Sequence, residues 1–137
     1  DVAIVVDLEW RHRYSGRTAH PETQAEKVAV ENGMVVRVGK HLSSDETHGE
    51  FIGLAKFSER GANLMRSRYL YFREHCLGRA FHQAHTIHEA YLTDMLQEIV
   101  DLGTRIDTID IRGKWVELDT PQDMERARSD MPVSTRT

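Results

Sequence analysis

The amino-acid sequence predicts an α/β fold with a mixed sheet flanked by helices. Three observations carry that prediction. A continuous apolar run, Val2 to Val6, ends at Asp7 and reads as a strand buried inside a sheet. Asn32-Gly33 stands between two β-prone runs, Val28-Ala29-Val30 and Met34-Val35-Val36. Both residues tolerate the positive φ that a type I′ turn needs, so 28–36 is a hairpin. Finally, Leu92, Met95, Leu96 and Ile99 recur at helical spacing. Strands and helices alternate along the chain, as a mixed α/β layer architecture requires.

The remaining elements follow in order. Residues 11 to 25 are polar, contain Gly16 and Pro21, and read as a loop. Phe51 to Phe57 reads as a strand, and Gly53 within it suggests close approach of a backbone or ligand. Ser58 caps a helix running to about Cys76, with Gly78 as its stop. A second helix covers about Glu89 to Leu102 and ends at Gly103. Arg105 to Ile111 and Lys114 to Leu118 are read as two short strands joined at Arg112-Gly113. Thr120-Pro121-Gln122-Asp123 opens a last helix: Thr120 is the capping hydroxyl, Pro121 fits the first helical position, and Asp123 reaches back as the capping-box acid. Residues 1–128 are expected to form one domain, and 129–137, which lack an apolar period, a disordered tail.

Composition excludes several classes. Of 137 residues, 39% are hydrophobic and 29% charged, the balance of an ordinary globular domain. The net charge of −4 offers no basic field for nucleic acid or a membrane surface. No apolar run is long enough to span a bilayer, and the opening run lacks the basic flank and length of a signal peptide. The single Cys76 permits neither an internal disulfide nor a Cys-rich zinc site, which suits a reducing cytoplasm.

Chemistry is concentrated in Lys114-Trp115-Val116-Glu117-Leu118-Asp119-Thr120. Strand alternation would turn Trp115, Glu117 and Asp119 to one face and Val116 and Leu118 to the other. Asp119 at the carboxyl end of such a strand lies where α/β proteins place ligands, and a carboxylate there can hold Mg²⁺. The competing reading makes Asp119 a turn residue before a capped helix. His82, His85 and His88, spaced by three beside Glu89, form a second candidate, in which two of them could ligate Zn²⁺ or Ni²⁺ from one helical face.

The segment Glu89-Ala90-Tyr91-Leu92-Thr93-Asp94 followed by Trp115 to Ala127 resembles the end of the sugar-phosphate nucleotidyltransferase superfamily. Glu117-Leu118-Asp119 is more similar to the cytidylyltransferase branch, and Gly49 to Ser58 resembles the nucleotidyltransferase domains associated with phosphoenolpyruvate mutase in phosphonate metabolism. The resemblance spans about residues 1 to 128. It implies the C-terminal portion of a Rossmann-like nucleotidyltransferase fold: a cytoplasmic transferase that joins a nucleoside triphosphate, CTP in this branch, to a phosphonate, phosphocholine-like or sugar-phosphate acceptor and releases pyrophosphate. Mg²⁺ is the implied cofactor, with Asp119 as its ligand. Lys40 and Lys27 are the implied phosphate-contacting lysines, and Glu50, Gly53, Trp115 and Glu117 the implied acceptor-binding residues. The Gly-rich nucleotide loop and a second metal-binding aspartate at a central strand end are expected upstream of Asp1, in a missing N-terminal half, so the chain alone is expected to be inactive. The alternative is a non-catalytic assembly module that forms a homodimer through the helical insert 61–88.

Overall fold

The computed structural model describes residues 1–130; of the tail expected over 129–137, residues 129 and 130 continue the last helix and 131–137 lie outside the described residues. Five strands form one sheet: β1 (Val2–Asp7), β2 (Lys27–Glu31), β3 (Met34–Gly39), β4 (Gly49–Phe57) and β5 (Ile106–Ile111). The order across the sheet is β3-β2-β4-β1-β5. β1 and β5 are parallel, whereas β4 runs antiparallel to both β1 and β2, so the sheet is mixed as expected. The helices are α1 (Arg11–Tyr14), α2 (Glu59–His75), α3 (Leu92–Asp101) and α4 (Pro121–Asp130). Among the described residues no helix is long and apolar enough to cross a membrane.

The hairpin forms around Asn32 and Gly33, with φ of 50° and 75°. Ser58 caps α2 by accepting from the Gly61 amide at 3.1 Å. Thr120 and Asp123 exchange bonds at the head of α4: the Asp123 amide donates to Thr120 Oγ1 and the Thr120 amide to Asp123 Oδ2. α3 begins at Leu92, three residues later than its periodicity suggested, because Asp94 accepts from the Tyr91 amide at 2.8 Å and so fixes the start. The expected loop 11–25 contains the single helical turn of α1 and a 3₁₀ turn at Glu22–Gln24.

Two expectations fail. No strand forms over 114–118: Gly113 and Lys114 adopt φ of 59° and 64°, which turns the chain off the sheet as it leaves β5. Gly53 does not make room for a neighbour. Ile4 pairs with Ala55 and Val6 with Phe51, so Ile52, Gly53 and Leu54 bulge opposite Val5 alone. Gly53 sits there at φ +81°, and a Cβ on it would meet nothing within 4 Å. Backbone conformation selects this glycine. Close approach instead selects Gly49, where a Cβ would lie 2.5 Å from Val6 Cγ1 and 2.7 Å from the Asp7 carbonyl oxygen.

The core lies on one face of the sheet. Val2, Ile4 and Val6 of β1, with Val28, Val38, Phe51 and Ile106, pack against Leu96 and Ile99 of α3. Because side chains alternate, Asp7, Glu50 and Lys27 point to the opposite face. The second face belongs to the site.

Candidate functional site

Strand register draws charged residues into a row. Lys27 pairs with both Gly39 and Glu50, and Glu50 pairs with Asp7. Directly opposed residues project to the same face, so the charged row crosses β2, β4 and β1 at the carboxyl end of β1, with Gly39 of β3 beside it. Asp7, Glu50 and Lys27 are 0%, 4% and 7% exposed. A row of buried charges requires partners, and each has them.

Asp7 is fully engaged. Its Oδ1 accepts from the Glu9 amide at 3.0 Å and the Gly113 amide at 2.9 Å. Its Oδ2 accepts from Trp115 Nε1 at 2.8 Å and Arg13 Nε at 3.2 Å. Burial pushes the carboxyl pKa up, but these four donors outweigh it and hold it below the usual value. The Arg13 guanidinium also lies 4.6 Å from the Trp115 ring centroid. Trp115 therefore anchors the departing 114–119 segment to the end of β1. An acid at a central strand end was expected upstream of Asp1; Asp7 is such an acid within the chain, with its acceptor sites occupied by protein donors.

Glu50 accepts the Tyr14 hydroxyl through Oε1. Burial pushes its pKa up to about 7, with the Tyr14 bond pulling the other way and Glu117 adding to the rise. The Tyr14 phenol is raised as well, by burial and by Glu50. Lys27 donates to the Lys40 carbonyl at 2.8 Å, tying β2 to the end of β3.

Arg17 organises the other carboxylates. Its side chain is 6% exposed and grips Asp123 with Nε–Oδ1 at 2.6 Å and Nη2–Oδ2 at 2.9 Å. It reaches Glu117 Oε2 and Asp119 Oδ2 at a looser 3.4 Å each. The Asp123 carboxyl is held well below the usual range, first by Arg17 and then by its bonds to Thr120. Glu117 moves the other way, raised by burial and by neighbouring Asp119. His20 Nδ1 lies 3.2 Å from Asp119 Oδ2. One ligand atom each from His20, Glu117 and Asp119 falls within 4.8 Å of the others. The start of α4 is held against the same loop: Gln122 Oε1 accepts from the Thr18 and Ala19 amides at 3.0 Å, and Arg126 donates to the Ser15 and Arg13 carbonyls.

A cavity of about 180 Å³ opens between α1, the 115–117 segment and α4, lined among others by Arg13, Arg17, Glu50, Trp115, Glu117 and Asp123. Glu50, Trp115 and Glu117 of the sequence-derived set meet there. Asp119 adjoins the site through Arg17 and His20, half exposed just before α4 and away from any strand tip. Gly53 lies outside the cavity, on the bulge. Lys40 lines a separate cleft with Arg37, His41, His82 and Gln97. It also contacts Glu26 at 3.6 Å and lies 4.3 Å from the Tyr91 ring centroid.

The histidine triplet does not assemble. Residues 81–84 close a tight turn through a Phe81–Ala84 bridge, so 82, 85 and 88 share no helical face. His82 bonds Glu98 at 3.2 Å instead. Sequence reasoning missed Asp7, Tyr14, Arg17, His20 and Asp123 as site residues. Asp7 carried a signal, an acid closing a buried strand; Arg17 and His20 sit in an aperiodic loop and meet their partners about 100 residues away.

No protein-family model matches the chain. Over 126 residues, 91% of its length, it is 30% identical to the CTP:phosphoglutamine cytidylyltransferase of Campylobacter jejuni. It covers 48% of that protein, so the chain spans about half the length of the curated relative it matches. Among solved structures, the inositol-1-phosphate CTP transferase from T. maritima superposes with a TM-score of 0.56 at 19% identity, over 89% of this chain and 40% of that one. The two share a fold, a mixed α/β sheet with flanking helices.

Proposed function

We propose that this chain forms the acceptor- and metal-binding side of a Mg²⁺-dependent nucleotidyltransferase that joins CTP to a phosphate-monoester or phosphonate acceptor. The observation that carries the reading is the carboxylate pair of Glu117 and Asp119, held by Arg17 in the segment that Trp115 ties to Asp7 at the carboxyl end of β1. The cytidylyltransferase similarity across 91% of the chain supports the same reading.

In the proposed reaction an acceptor phosphate oxygen attacks the α-phosphorus of CTP. The new P–O bond forms as the bond to the β-phosphate breaks, and pyrophosphate leaves with the electron pair. Mg²⁺, when bound, supplies the charge neutralisation such a transfer needs. Glu117 and Asp119 fit that ion: both are hard oxygen donors with side chains 40% exposed, and their bonds to Arg17 are long enough to yield. Arg17 spends its two short bonds on Asp123 and thereby positions the 117–119 segment.

The cavity of about 180 Å³ is well below the roughly 300–1,000 Å³ of pockets that enclose whole ligands. It suits the non-phosphate end of an acceptor, with Glu50 and Trp115 as its contacts, and leaves the nucleotide outside. Lys27 acts as a positioning residue for the end of β3. Lys40 faces the separate cleft and takes no part in this scheme.

The test is pyrophosphate release by the intact protein, with CTP and a panel of phosphate-monoester and phosphonate acceptors. Release that requires Mg²⁺, CTP and one acceptor class is expected. A rate equal to the acceptor-free control for every acceptor would overturn the proposal.

A second reading, assembly through the insert 61–88, is favoured by one observation. Phe57, Ala62, Met65, Tyr69, Leu92 and Met95 line an apolar groove beside α2, a helix whose one buried residue is Gly61. The two readings are compatible. Sedimentation equilibrium decides the second: a strict monomer at high concentration removes it.

A further inference from the structure

The metal reading just proposed involves two carboxylates, and a third donor of different chemistry stands beside them. We infer that His20 completes a His20–Glu117–Asp119 site whose imidazole makes it select Mn²⁺ over Mg²⁺. The inference rests on the proposed metal-binding role of Asp119 and adds both a ligand and a selectivity to it.

Geometry supports three-donor closure. His20 Nδ1 and Asp119 Oδ2 are 3.2 Å apart, about the separation of adjacent ligands on an ion with bonds of roughly 2.1–2.2 Å. A Glu117 oxygen completes a set that fits within 4.8 Å, so small side-chain rotations close it. The Tyr14 ring, 6.4 Å from the His20 ring between centroids, flanks the imidazole, and Tyr14 is itself fixed by its bond to Glu50.

Charge also calls for a cation. Arg17 satisfies Asp123 with two short bonds and reaches Glu117 and Asp119 only at 3.4 Å each, with His20 at 3.2 Å as the second partner of Asp119. Glu50, 4% exposed, lines the same cavity as Glu117. Three carboxylates share the one Arg17 guanidinium, an imbalance that favours an added positive charge.

Chemistry then sets the selectivity. Mg²⁺ prefers oxygen ligands and retains its water, whereas imidazole suits transition ions, so replacing one oxygen by a nitrogen tilts the site toward the latter. Among transition ions Mn²⁺ is the one best suited to carboxylate and water ligands, so it fits a site that keeps two carboxylates beside one imidazole.

The experiment is Mn²⁺ binding to the intact protein, followed by electron paramagnetic resonance, with Mg²⁺ as competitor. The expected result is Mn²⁺ binding at least tenfold tighter than Mg²⁺. His20→Gln should erase that preference while Mg²⁺ binding persists, and Asp119→Ala should remove both ions. His82→Gln, at a histidine outside the site, should change nothing. In the unmodified protein, substoichiometric Mn²⁺ should broaden the His20 ring-proton signals, a readout that does not depend on any variant folding. If those signals stay sharp, or His20→Gln keeps the preference, the three-donor site is overturned while the two-carboxylate reading stands. If Asp119→Ala binds both ions normally, the metal reading itself falls.

Discussion

Val6 and Asp7 are neighbours in the chain, and both are fully buried, yet they belong to different worlds. Val6 faces Phe51, Leu96 and Ile99 in an apolar cluster where position is set by shape and exclusion of water. Asp7 faces four hydrogen-bond donors drawn from residues 9, 13, 113 and 115. One face is held by contacts that any well-fitting hydrocarbon could make. The other is held by paired charges, where removing one partner strands the rest. The difference teaches where function can reside: the polar face already bears the cost of buried charge, and its pKa values are displaced from their ordinary range.

That contrast can be broken by substitution. The largest effect is expected for Arg17→Met, which strands Asp123, Glu117 and Asp119 together. Loss of a buried pair's partner costs roughly 3–5 kcal/mol, read as a lower urea midpoint. A loss below about 1 kcal/mol would mean the network is dispensable.

On the apolar face, Leu96→Ala opens a cavity at a fully buried site and should cost roughly 2–5 kcal/mol. Its pH dependence of stability should match the unmodified protein, because no titrating group of the polar face is touched. A changed pH profile would show that the two faces are coupled.

Glu50→Gln sharpens the contrast through pH. Glu50 has its pKa pushed up from 4.5 to about 7 by burial, so the folded state holds its proton more tightly than the unfolded chain. Its stabilising contribution is complete below about pH 4.5 and is lost as pH rises through 7. The unmodified protein should lose roughly 2–3 kcal/mol more than Glu50→Gln between pH 5 and 8. Parallel pH profiles for the two proteins would contradict the displaced carboxyl. The smallest change is expected for Thr120→Ala, which removes the capping hydroxyl of α4 and should cost about 1 kcal/mol.

The sequence made the apolar face legible because periodicity reports burial directly. The run Val2 to Val6, the Asn32-Gly33 turn, the Ser58 cap and the Thr120–Asp123 box all encode local rules, and each appears in the structure. The strand read at Lys114–Leu118 failed for a local reason too. Its alternation was real, since Trp115, Glu117 and Asp119 do turn toward the polar face while Val116 and Leu118 are exposed. Alternation alone does not supply a partner strand, and the left-handed pair Gly113-Lys114 had already turned the chain away. The site itself was half legible. Glu117 and Asp119 announced themselves by spacing, whereas Arg17 and His20 depend on contacts across about 100 residues that no local pattern records.

The central claim is that the carboxylates of the polar face serve chemistry and do more than close the turn before α4. Pyrophosphate release from CTP by Asp119→Ala tests it most directly, measured in the intact protein alongside its thermal midpoint. The account predicts a fall of about 100-fold or more in turnover with the midpoint nearly unchanged, since Asp119 is half exposed and its contacts with Arg17 and His20 lie at the solvent-facing rim. Turnover equal to that of the unmodified protein would reduce Asp119 to a turn residue and contradict the account.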